Sequence, residues 1–192
     1  TKLFSKIGKR DYKLSDIKIL LDETPFQTAG PFLHIGCLPN AINIEGVFDN
    51  DLGVKPFVNK GYNKFITISG SVFDGDGKAL DDIMLETWQS DENGVYSPEC
   101  GFARFVPDSL TKKFNLYTLK PGFINGIDGK AQSPHILISI SSRGLNMTLN
   151  TRMYFEGDDL INDPLLSTVK NSSKDISSLV AKKIDEDIYL FD

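Results

Sequence analysis

Pro134-His-Ile-Leu-Ile-Ser-Ile-Ser-Ser-Arg143 is the stretch that decides the fold. Ile136, Ile138 and Ile140 recur at every second position, the period of a strand with one face against a core. His135 and Leu137 then share the opposite face. The same period appears upstream in Phe65-Ile-Thr-Ile-Ser-Gly-Ser-Val72, where Ile66, Ile68 and Val72 alternate with Thr67, Ser69 and Ser71. Further strands are predicted over residues 83–89, 114–119, 150–155 and 188–191. Turn signals separate them: Asp74-Gly-Asp-Gly77, Asp91-Glu-Asn-Gly94 and Lys120-Pro-Gly122. Short strands at near-regular spacing between Gly-rich turns predict an all-β sandwich.

Outside the strands, residues 160–169 predict a short helix, with Asp163 as cap and Pro164 in its first turn. Residues 24–40 carry Pro25, Gly30 and Pro31 and read as an ordered loop without helix. Residues 1–23 form an amino-terminal arm, and residues 24–192 one sandwich domain without internal repeats. The arm lacks the apolar run of a secretion signal.

Composition narrows the function. The chain has 192 residues with 26 acidic and 21 basic side chains, net −5, so it lacks the basic face that nucleic acid demands. Two histidines, His34 and His135, and two cysteines, Cys37 and Cys100, are the whole stock of imidazole and thiolate. A four-ligand zinc site would use all of them at unusual spacings. Two cysteines make no disulfide framework and read as free thiols, which points to the cytoplasm. Asp74-Gly-Asp-Gly77 opens like a calcium loop. Lys78 then stands where an oxygen is wanted, and Leu85 where the closing Glu belongs, so a hairpin turn is the better reading. Trp88 reads as a core or interface anchor, Arg104 as one half of a structural ion pair or an interface contact.

An ordered series of short blocks carries a further signal. Thr24-Pro-Phe-Gln-Thr-Ala-Gly-Pro31, Leu85-Glu-Thr-Trp-Gln-Ser-Asp-Glu-Asn-Gly-Val-Tyr96, Tyr117-Thr-Leu-Lys-Pro-Gly122, Ser133-Pro-His-Ile136, Ser142-Arg-Gly-Leu145 and Thr151-Arg-Met-Tyr-Phe-Glu-Gly157 run in the order found in the intradiol ring-cleaving dioxygenases. The chain resembles that family over roughly residues 24–168, which implies its mixed-topology β-sandwich with short helices and an amino-terminal arm. The family holds ferric iron with two tyrosines and two histidines, hard anionic oxygen paired with imidazole. By position, Tyr96 and His135 match one ligand of each kind. The second His of the His-x-His pair is Leu137, and Pro121-Gly-Phe-Ile-Asn125 lacks the second Tyr.

This departure resembles the alpha type of chain in heteromeric members that act on protocatechuate. The resemblance implies no catalytic residue and no metal in this chain, with ferric iron in a partner beta chain. That pair opens protocatechuate with dioxygen to 3-carboxy-cis,cis-muconate and assembles into a higher hetero-oligomer. The alpha chain's amino-terminal loop closes over the partner's site. By position, Thr28, Gly30, Pro31 and Phe32 belong to that loop, with Phe32 standing where alpha chains commonly carry Tyr. Arg143 is the candidate cation for the substrate carboxylate, through the two parallel bonds a guanidinium can make. Arg152 is the weaker choice, expected to pair with a neighbouring acid. Two other readings stay open at this point. One is a self-contained homo-oligomeric dioxygenase with an unusual iron site. The other is a binding module without an enzymatic role, since one sandwich hosts many functions.

Overall fold

Ten strands and two short helices build the computed structural model, which describes residues 28–30, 32–57, 61–97, 100–126, 129–172 and 175–192. The predicted arm over residues 1–23 and Pro31 lie outside the described residues. Strands β1 (Phe65–Gly70), β2 (Ile83–Trp88), β4 (Phe114–Leu119), β7 (His135–Ser142), β8 (Leu149–Phe155) and β10 (Ile188–Leu190) fall where alternation placed them. Strands β3 (Phe102–Phe105) and β9 (Val180–Asp185), and the two-residue β5 (Ile124–Asn125) and β6 (Ala131–Gln132), were not legible in the pattern.

Eight strands join in the order β3-β2-β7-β8-β9-β10-β1-β4. Most pairs are antiparallel, but β8 with β9 and β1 with β10 run parallel, so the topology is mixed. One core takes residues from both halves: Ile83, Leu85, Ala103, Ile136, Ile138, Met153 and Phe155 from one, Ile66, Ile68, Phe114, Leu116, Ala181 and Tyr189 from the other. A sheet folded upon itself around one core is a sandwich, as the strand spacing predicts. The Phe105 ring of edge strand β3 packs 5.6 Å from Phe114 of edge strand β4, closing the open side.

A buried polar link ties the halves again. Gln89, 1% exposed, donates from Nε2 to the Leu119 carbonyl at 2.7 Å and accepts from Thr118 Oγ1 at 2.8 Å. Its amide is thus satisfied on both sides, which removes the cost of burying it.

Helix α2 (Pro164–Asn171) starts four residues later than the sequence suggested, but its cap is as read. Asp163 Oδ1 accepts from the Leu165 and Leu166 amides at 2.9 Å. Helix α1 (Phe32–Cys37) corrects the expectation of a helix-free loop over residues 24–40. The physical reason is position: a proline is incompatible with a helix interior, yet tolerated at or just before the first turn. The Asp74 turn is a hairpin turn in detail. Asp74 Oδ1 accepts from the amides of Asp76 and Lys78, so the carboxylate is consumed by the turn itself. Cys37 and Cys100 are unpaired. No helix among the described residues is long and apolar enough to cross a membrane.

Candidate functional site

Strand β7 carries both regions of interest, one at each end. Its start is fixed by helix α2: besides capping the helix, Asp163 accepts from the Ser133 amide through Oδ2 at 2.8 Å. Pro134 and His135 follow directly. Ile136 and Ile138 enter the core at 0% and 6% exposure, and His135 and Leu137 lie on the other face, as the alternation requires. His135 is nevertheless buried, at 3% exposure. Its ring lies 5.7 Å from that of Tyr154, its cross-strand partner on β8. Its Nδ1 lies 2.7 Å from the Ser133 carbonyl. A carbonyl only accepts, so Nδ1 carries the proton and Nε2 keeps the lone pair. Burial pushes the His135 pKa below its ordinary value, and the nearby Arg152 charge adds to that push.

The next row across this face contains no second imidazole. It runs Phe102, Trp88, Leu137, Arg152 over β3, β2, β7 and β8. Tyr96 stacks on Trp88, with ring centroids 6.0 Å apart and planes within 19°. Among the described residues Arg152 makes no ion pair with an acid; Nη1 donates to Gln132 Oε1 at 2.9 Å. Its positive charge reaches three neighbours, Tyr96, His135 and Tyr154. Burial raises the pKa of both phenols, and Arg152 offsets part of the rise. The Tyr154 hydroxyl is buried and makes no well-aligned hydrogen bond.

Ferric iron does not fit this set of residues. Leu137 offers no donor where the second imidazole is needed, a single imidazole beside two phenols that burial holds protonated makes too weak a ligand set, and a guanidinium stands in the adjoining strand position. Among the described residues no group of three or more His, Cys, Asp or Glu gathers as a metal site.

The other end of β7 opens into a cleft of about 930 Å³, lined by helix α1, residues 41–44, Asp81 and Asp82 ahead of β2, residues 106–109, and Arg143. Here the structure brings together two of the predicted residues. Thr28 Oγ1 accepts from the Gly144 amide at 2.6 Å and reaches the Ser142 carbonyl at 3.5 Å. Gly144 has φ +87°, a conformation glycine adopts without strain, and this turns its N–H towards Thr28. Arg143 leaves the same turn and lines the cleft. Gly30 begins the turn into helix α1, its carbonyl accepting from the Leu33 amide at 3.1 Å. Phe32 is the first residue of that helix.

Two residues in this cleft were missed by sequence reasoning. Asp82 forms an ion pair with Arg143 through Nε and Nη2. His34, on helix α1 and 8% exposed, holds Nδ1 3.9 Å from the other Asp82 oxygen. The available signal was register. Ile83 pairs with Ser142 across the antiparallel β2–β7 ladder, so one further step sets Asp82 beside Arg143.

Comparisons with known proteins agree with this architecture. A family model described as "Dioxygenase" matches residues 42–186. The chain is 35% identical over 185 residues to the protocatechuate 3,4-dioxygenase alpha chain of Pseudomonas putida, covering 90% of this chain and 91% of that one. It is 30% identical to the alpha chain of Burkholderia cepacia, with 85% of each covered. The beta chain of Burkholderia cepacia is 29% identical over 147 residues, 68% of this chain and 62% of that one. Among solved structures, the 3-chlorocatechol 1,2-dioxygenase of Rhodococcus opacus 1CP shares the fold at TM-score 0.55 and 17% identity, covering 71% of this chain and 62% of that one. Members of the family depend in general on iron. From residue 42 to residue 186 the sandwich and the relatives concur: this chain belongs to the intradiol dioxygenase family.

Proposed function

We propose that this chain is the non-catalytic alpha subunit of a heteromeric protocatechuate 3,4-dioxygenase. It pairs with a beta chain of the same family that holds ferric iron, and alpha–beta pairs build a larger hetero-oligomer. Together they insert both atoms of dioxygen between the hydroxyl-bearing carbons of protocatechuate, giving 3-carboxy-cis,cis-muconate. The observation that carries this reading is Leu137. It lies between Trp88 and Arg152 on the one face where a second imidazole would be required.

The chain's own contribution is the pocket wall. Thr28, Gly30, Pro31 and Phe32 face the substrate in the partner's site. Arg143 binds its carboxylate, which selects protocatechuate over unsubstituted catechol. Support comes from the hydrogen bonds that tie Thr28 to the Arg143 turn and from the open cleft beneath them. Phe32 brings no hydroxyl to this wall, so the carboxylate depends on the cation.

The test is to purify the chain alone and with its companion chain. Alone it is expected colourless and inactive. With the companion, the complex is expected to show the red tyrosinate-to-iron absorption and to cleave protocatechuate. An iron-loaded red homo-oligomer of this chain that cleaves protocatechuate by itself sinks the proposal.

A further inference from the structure

Three acids line the cleft beside Arg143, and they differ in what holds them. Asp81 is paired with Lys112. Asp108 closes its own turn, accepting from the amides of Leu110 and Thr111 and from Thr111 Oγ1. Asp82 alone of the three is committed to Arg143. A second tie runs beside the ion pair: Ser142 Oγ donates to the Asp82 carbonyl at 3.0 Å. Backbone and carboxylate of Asp82 thus grip the end of β7 together.

The geometry of that grip is specific. A single carboxylate oxygen, Oδ2, accepts from both Nε and Nη2 of Arg143. This uses the side of the guanidinium. Among the described residues, no partner is seen on the end, made of Nη1 and the outer hydrogen of Nη2. A guanidinium has five N–H groups in a fixed plane, so holding its side determines where its end points.

We propose that Asp82 is a positioning residue for substrate selection: it holds Arg143 so that the end of the guanidinium, and not its side, meets the carboxylate of an aromatic acid. This inference rests on the reading of Arg143 as the carboxylate-binding cation. Asp82 also cancels the bare charge of Arg143. Recognition therefore depends on two directed hydrogen bonds, which the carboxylate of an aromatic acid satisfies. Asp82 acts through Arg143, so its effect falls on binding.

The experiment uses the iron-loaded complex of this chain with its companion, and measures kcat and KM for protocatechuate and for catechol. Asp82→Ala is expected to raise KM for protocatechuate about five- to tenfold, with kcat within about twofold and catechol unaffected. Asp82→Asn keeps an accepting oxygen and is expected to raise KM by about threefold. Arg143→Ala is measured beside them. If Arg143→Ala leaves the preference for protocatechuate unchanged, the reading of Arg143 fails and the inference goes with it. If Arg143→Ala abolishes the preference while both Asp82 variants leave KM unchanged or lower it, the reading stands and the positioning role is overturned. An equal shift for both substrates means a structural role only, and also overturns it. Should Asp82→Ala fail to assemble, the isosteric Asn variant decides by the same criteria.

Discussion

The two ends of strand β7 show opposite solutions to one problem, how to place a polar group at the end of an interior strand. At the start, His135 is buried, fixed by the Ser133 carbonyl, and followed by an apolar Leu137. At the finish, roughly 25 Å away at ~3.3 Å per residue, Arg143 stands over an open cleft with its side chain 58% exposed. The first end retains ligand-type residues without a ligand set. The second has a charged group oriented by a partner and room for a molecule. The difference teaches where this chain has room to act: outward, at the open end of β7.

The largest expected effect breaks or confirms the open end. In the complex with the companion chain, Arg143→Ala is expected to lower kcat/KM for protocatechuate by about 10- to 150-fold, the value of a charge-assisted pair worth about 1.5–3 kcal/mol. Catechol, which has no carboxylate, is expected to be turned over as before. Equal loss for both substrates in steady-state assays would show that the two ends of β7 differ less than their geometry suggests.

A smaller effect sharpens the closed end. Burial depresses the His135 pKa in the folded chain below the ordinary 6.5. The unfolded chain therefore takes up its proton first as pH falls. Above about pH 6.5 the neutral imidazole costs nothing in either state, and stability is full. Between there and the folded pKa stability declines, by at most about 1.4 kcal/mol per pH unit. Urea unfolding at several pH values between about 7 and 5 checks this. His135→Gln is expected to show the shallower decline, and parallel curves would mean that the imidazole is not the buried neutral group described.

How much of this could be read from the sequence depends on which interaction carries each feature. Strands β1 and β7 were legible because Ile66, Ile68, Ile136 and Ile138 repeat at period two and all enter the core. Strand β9 was not, because only Ala181 along Val180–Asp185 is buried and two lysines follow it. Its place comes from antiparallel pairing with β10 and parallel pairing with β8, the second a long-range contact without local signature. Strand β3 has four residues and one buried side chain, too little for a period. The closed end of β7 was legible in one position, since Leu137 on the His135 face follows from alternation alone. The cleft was legible only as Thr28 and Arg143. Asp82 needed the register of β2 against β7, and His34 needed helix α1, which a Pro- and Gly-rich stretch concealed.

The smallest expected effect is none at all, and it tests how deeply the closed end departs from a metal centre. Leu137→His restores the missing imidazole on the face of β7 that carries His135. If that single residue were the whole difference, the variant should gather iron and turn red. Three features argue that it will not. The stretch from Pro121 to Asn125 still supplies no second phenol. Tyr96 is stacked on Trp88, and burial holds its phenol protonated beyond the ordinary range, against tyrosinate formation. Arg152 occupies the cross-strand position beside residue 137, where its charge opposes a trivalent cation. Purified Leu137→His, incubated with ferrous iron in air and desalted, is expected to retain less than stoichiometric metal and to show no visible tyrosinate band. A red, iron-retaining product would mean that one substitution separates this chain from a metal-binding one, and that the contrast between the two ends of β7 is shallow.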